Sequence, residues 1–127
     1  MGHAEMVQVV EKYVESYNKQ SFEGVLSLYA ANATMEDPVG APPAQGETAI
    51  RALYKLGFDM GITIKLDGRV RTAGKYALFP VCATSENGKL YIIDQFEFNA
   101  DGKIERMRAF WSLDNLEGEM DVRTDVG

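Results

Sequence analysis

Residues 90–99 read Leu-Tyr-Ile-Ile-Asp-Gln-Phe-Glu-Phe-Asn, the pattern of a β-strand with one apolar face. Side chains on a strand alternate between its two sides. Leu90, Ile92, Asp94, Phe96 and Phe98 therefore share one face, and the more polar Tyr91, Ile93, Gln95, Glu97 and Asn99 share the other. Asp94 is the single ionisable group in the apolar row. A carboxylate buried without a counter-charge is costly, and such a group keeps its proton instead of ionising. Either the register breaks at a bulge and Asp94 turns to solvent, or a neutral acid stands in an apolar wall.

The N-terminal part of the chain has a different period. Across residues 4–19, Met6, Val9, Val10, Tyr13, Val14 and Tyr17 follow the spacing of an amphipathic helix. Ser21 suits the N-cap of a second helix, with Glu23 in its first turn. That helix is expected to bury Phe22, Val25, Leu26 and Tyr29. A third helix is predicted over residues 47–56, with Ile50, Leu53 and Tyr54 inward and Gly57 ending it. Each helix thus carries a tyrosine on its apolar stripe: Tyr13, Tyr29 and Tyr54. Taken singly, each is an ordinary core tyrosine. Gathered around one buried acid, the three phenols can satisfy one another in a hydrogen-bond network.

Between the second and third helices lies Thr34-Met35-Glu36-Asp37-Pro38-Val39-Gly40. Its first residues suit a short strand. Pro38 holds Asp37 extended and stops the pairing, and Gly40 permits the following turn. The remainder reads as sheet. Residues 62–66 and 69–72 are expected to pair as a hairpin across Asp67-Gly68. Residues 76–84 form an apolar strand in which Pro80 implies an edge or a bulge. Asn87-Gly88 turns into the strand of Asp94, and residues 104–111 close the sheet. On that last strand Met107, Ala109 and Trp111 share one face, with Arg106 and Arg108 on the other. Helices followed by antiparallel strands make an α+β domain. Three helices on a sheet that bends around them leave a cone with a cavity suited to a small apolar ligand. This domain is expected over residues 1–116, followed by an irregular acidic tail over residues 117–127.

Composition narrows the chemistry. A formal charge of −6 argues against nucleic acid or an anionic membrane as partner. No apolar run is long enough to span a bilayer, and no secretory-signal pattern is seen at the start. The one cysteine, Cys82, excludes an internal disulfide and fits a reducing compartment, so a cytoplasmic location is expected. The one histidine, His3, stands beside Gly2 and is poorly placed for catalysis. Zinc sites of the usual Cys/His type are thereby excluded, and no Cys-His or Ser-His-Asp triad is convincing. There is also no phosphate-binding or dinucleotide glycine loop. Any catalysis must run on carboxylates and phenols.

Five stretches together resemble the bacterial ketosteroid isomerases, members of the nuclear-transport-factor-2-like group of cone-shaped α+β folds. They are Glu11-Lys12-Tyr13-Val14, Tyr29-Ala30-Ala31-Asn32-Ala33-Thr34, Met35-Glu36-Asp37-Pro38-Val39-Gly40, Ile93-Asp94 and Met107-Arg108-Ala109-Phe110-Trp111-Ser112. They occur in the family's order across residues 4–116. The resemblance implies Asp37 as general base, with Tyr13 and Asp94 as the oxyanion hole. Tyr29 and Tyr54 would support Tyr13 through hydrogen bonds, while Leu90, Ile92, Met107 and Trp111 would line a steroid pocket. It also implies a homodimer working without cofactor or metal. The reaction implied moves the double bond of a 3-oxosteroid into conjugation with its ketone. The connection preceding Asp94 is shorter than the family pattern, which leaves Phe79 without an assigned role. Tyr17 and Leu53 also depart from the family's pocket positions. Two other functions fit the same scaffold: a cyclase, dehydratase or hydrolase, and a non-catalytic binder of a small apolar ligand.

Overall fold

The structure is a computed structural model and describes residues 1–122. Helix α1 (His3–Asn18) buries Met6, Val10, Tyr13 and Tyr17 along the expected stripe. Helix α2 (Phe22–Leu26) is capped by Ser21, whose hydroxyl accepts the Gly24 N–H at 2.9 Å. It is too short to include Tyr29, which instead opens strand β1 (Tyr29–Glu36). The spacing of Val25, Leu26 and Tyr29 suits a helix, but pairing of Tyr29 with Ile104 on a distant strand prevails. After the short strand β2 (Ala44–Gln45), helix α3 (Glu47–Asp59) runs past its predicted end. Gly57 lies within that helix and does not terminate it.

The sheet is assembled mainly from β3 (Thr63–Leu66), β4 (Arg71–Ala73), β5 (Tyr76–Thr84), β6 (Gly88–Phe98) and β7 (Ile104–Phe110). Its order is β2-β1-β7-β6-β5-β3, with β4 also on β5. The β1–β7 pair is parallel and the other pairs are antiparallel. The expected hairpin of residues 62–66 and 69–72 does not form. Instead β3 pairs with Val81 through Thr84, and β4 pairs with Tyr76 through Leu78. The Asp67 N–H donates to the Pro80 carbonyl at 2.9 Å, which keeps this turn on β5 instead of folding it back. Pro80 thus falls where the outer ladder passes from β3 to β4, a place that spares its missing N–H.

Strand β6 keeps its alternation through Asp94. Leu90, Asp94, Phe96 and Phe98 are buried, whereas Tyr91 and Ile93 are exposed. The irregularity in its pairing with β7 falls between Glu97 and Phe98, beyond the acid. The tail expected to be irregular begins instead with a further strand, β8 (Leu116–Gly118), paired to the start of β6. Gly88 permits this approach, since a Cβ there would lie 2.5 Å from the Glu119 carbonyl oxygen. Met120 and Val122 then pack against the core. Residues 123–127 of that tail lie outside the described residues. Three helices therefore pack on one face of an open, mainly antiparallel sheet, an α+β architecture. Among the described residues, no helix is long and apolar enough to cross a membrane.

Candidate active site

A cavity of about 430 Å³ separates the helices from the sheet, and Asp94 stands in its wall. Pairing places Asp94 between Phe79 of β5 and Ala109 of β7, with Ile92 and Phe96 along its own row. Only 4% of its surface is exposed. Among the described residues, its carboxyl group makes no hydrogen bond and opens on the cavity. Burial raises its pKa well above the ordinary 3.8, and the negative charge of Asp37 pushes it further in the same direction. The small Ala109 beside it leaves room for a ligand atom to reach the acid.

Tyr13 reaches the same cavity from α1. Its ring is fixed edge-on against Phe96, with centroids 5.1 Å apart, and against Phe79 at 6.4 Å. Phe79 thus packs the phenol from behind. Tyr54 of α3 donates to the Tyr13 hydroxyl at 3.4 Å, while the Tyr54 and Tyr29 hydroxyls lie 2.6 Å apart. With Tyr54 donating onward, Tyr29 donates to Tyr54, and the Tyr13 proton is left for an acceptor in the cavity. Burial raises all three phenol pKa values; for Tyr13, Asp94 is the next cause. These hydroxyls are therefore donors at neutral pH. Tyr29 stands behind Tyr54 and does not itself line the cavity.

Asp37 follows the last residue of β1, where the Asp37–Pro38 peptide bond is cis. The Val39 N–H donates to the Ala109 carbonyl at 2.8 Å, tying this loop to β7. The Trp111 indole N–H donates to Asp37 Oδ1 at 2.7 Å and orients the half-buried carboxyl group. That bond joins two residues the sequence assigns to the site separately. Leu90, Ile92, Met107 and Trp111 all line the cavity. His3 does not; its ring bonds the Thr72 hydroxyl at 2.7 Å on the surface. Arg106 and Arg108 lie on the outer side of the sheet, 3.0 and 3.3 Å from Glu36. Among the described residues, no group of three His, Cys, Asp or Glu side chains could hold a metal ion.

Comparison with known proteins places this geometry in a family. The SnoaL-like domain model matches residues 10–107. The chain belongs to the SnoaL-like, nuclear-transport-factor-2-like family. It is 35% identical over 113 residues to a steroid Delta-isomerase of Nocardioides simplex, spanning 86% of this chain and 91% of that protein. It is also 28% identical over 116 residues to epoxide hydrolase LasB of Streptomyces lasalocidi, covering 84% of this chain but 41% of that protein. Among solved structures, the epoxide hydrolase/cyclase-like enzyme SalBIII, described in pyran ring formation in polyether salinomycin, superposes with a TM-score of 0.83. The identity there is 25%, covering 89% of this chain and 95% of that one.

Within this SnoaL-like fold, some cavity residues were not found from the sequence. Val81 and Ala83 face inward from β5, and the alternation of that strand carried the signal. Met120 and Val122 reach the cavity from the C-terminal segment, where no local period marks them. Tyr17 and Leu53, expected on inward helix faces and at positions where the residue type departs from the family's pocket, both line it.

Proposed function

We propose that this protein is an isomerase that moves the β,γ double bond of a 3-oxosteroid into α,β conjugation. Asp37 removes a proton from the carbon between carbonyl and alkene, and the electrons shift to give a dienolate. The same carboxyl group then returns the proton farther along the ring system. Tyr13 and protonated Asp94 donate hydrogen bonds to the dienolate oxygen, where fixed donors in a dry cavity act most strongly. Tyr54 and Tyr29 turn the Tyr13 proton toward that oxygen. Trp111 and Met107 hold the steroid body beside Leu90 and Ile92. The small apolar substrate needs no cofactor in this reading.

The observation that carries the proposal is the acid in the apolar wall: Asp94, buried, pushed toward its neutral form and sharing a cavity with Tyr13 and Asp37. A purely binding pocket has no use for such a group. The same reading includes a cytoplasmic homodimer, which would cover Leu78, Tyr91, Ile93 and Phe110, exposed hydrophobics of the outer sheet. The test is the absorbance of conjugated enone formed from androst-5-ene-3,17-dione. Turnover lost in Asp37→Asn is expected, and no turnover by the wild type overturns the proposal.

The likeness to LasB and SalBIII favours a second reading on the same residues. Neutral Asp94 would protonate an epoxide oxygen as it leaves carbon, while Asp37 takes the proton of an attacking water or hydroxyl. Ring opening of an epoxide, without turnover of the steroid, selects this reading.

A further inference from the structure

Tyr17 lies one helical turn beyond Tyr13 on α1 and lines the cavity. It is 7% exposed. Tyr13, Tyr29 and Tyr54 form a chain of hydroxyls, yet among the described residues the Tyr17 hydroxyl makes no hydrogen bond. Its ring is wedged against Phe58 at 5.0 Å, Tyr54 at 6.1 Å and Tyr13 at 6.3 Å. That packing surrounds the ring with aromatic neighbours where it meets the cavity.

A second observation concerns Gly57. Glycine is the poorest helix residue after proline, yet Gly57 lies within α3. Any side-chain carbon there would collide with the Tyr17 hydroxyl oxygen. The helix therefore leaves a gap where this phenol ends. Burial raises the Tyr17 pKa, followed in effect by Asp37 and then Asp94. For Tyr13 the order differs, since Asp94 comes directly after burial. Tyr13 and Tyr17 meet the cavity one helical turn apart, and of the two only Tyr13 belongs to the hydroxyl chain.

We infer that Tyr17 sets specificity by hydrogen-bonding a second oxygen function of the substrate, a hydroxyl or carbonyl separate from the reacting ketone. The inference rests on the isomerase reading, which seats that ketone at Tyr13 and Asp94. Water can satisfy the Tyr17 hydroxyl before a ligand binds. A ligand that fills the cavity expels this water, and pure hydrocarbon over Tyr17 leaves a buried donor unpaired. A ligand oxygen at that point restores the bond. Sites built in this way discriminate against analogues that lack the polar group.

The experiment measures dissociation constants by quenching of the Trp111 fluorescence. The ligands are androst-4-ene-3,17-dione and its monohydroxylated derivatives, with the hydroxyl on each ring in turn. They are titrated into wild type, Tyr17→Phe and Gly57→Ala, and turnover of androst-5-ene-3,17-dione is recorded alongside. At least one hydroxylated ligand is expected to bind wild type about tenfold better, relative to the parent, than it binds Tyr17→Phe. Gly57→Ala is expected to show the same selective loss, because its methyl group displaces the hydroxyl. Unchanged affinity ratios for every derivative overturn the inference. A uniform loss across all ligands also does so, because it assigns Tyr17 to the shared ketone or to packing. Turnover without selectivity removes the inference alone, whereas absent turnover removes the isomerase reading.

Discussion

The wall and the rim of the cavity each present one aspartate, on opposite kinds of support. Asp94 projects from the middle of β6, with strands on both sides, in a row of buried apolar side chains. Asp37 sits in a half-buried loop, oriented by the Trp111 indole at 2.7 Å. The residue type is the same and the surroundings differ. A dry strand face keeps a carboxyl group protonated and rigid, which suits a donor of hydrogen bonds. A loop at the rim leaves one able to exchange protons with different carbons of a ligand.

The largest effect is expected at the rim. Asp37→Asn keeps the shape and still accepts the Trp111 bond, but it removes the carboxylate proposed as the base. Turnover should fall by up to about 10⁴-fold with ligand affinity retained; full activity would take Asp37 out of the chemistry. Next comes the donor that shares the wall. Tyr13→Phe should cost roughly 10²–10³ in turnover, and a loss under tenfold would reduce Tyr13 to packing.

Asp94→Leu sharpens the contrast, since activity and stability should move in opposite directions. Turnover should drop by about 10², while resistance to denaturant stays equal or rises because a buried polar group becomes apolar. The sign of the pH dependence follows from linkage. The unfolded chain releases the Asp94 proton as pH rises past 3.8, whereas the folded chain holds it. Wild type therefore loses stability relative to Asp94→Leu above that pH, by about 1.4 kcal/mol per unit. The difference levels off once the folded acid itself ionises. Denaturant titrations of both proteins across the acid range measure this, and a large stability loss in Asp94→Leu would mark a structural acid. The smallest effect is expected at Tyr29→Phe. It removes the far end of the hydroxyl chain and should slow turnover by less than about tenfold.

Much of this contrast was legible in residue order. Period-two alternation put Asp94 in the apolar row of its strand, with escape at a bulge as the alternative, and helical spacing put Tyr13 and Tyr54 on apolar stripes. Tyr29 was found as a member of the phenol cluster but placed on the wrong element. Its apolar spacing fits a helix, and only the distant partner Ile104 makes it a strand. Asp67-Gly68 misled for the same reason: turn chemistry is local, whereas the pairing of β3 and β4 with β5 is not. Gly57 read as a helix stop because its use is a contact with Tyr17, far away in the chain. The C-terminal segment had no period to read, since a close approach at Gly88 brings it to β6. The link between Asp37 and Trp111 likewise joins residues 74 positions apart.

The protonation of Asp94 at neutral pH tests the central claim most directly. Difference infrared spectra of wild type against Asp94→Leu isolate that one carboxyl group. A protonated-acid carbonyl band present at pH 7 and absent from the variant is the predicted result. A carboxylate signature assigned to Asp94 at that pH would contradict the account.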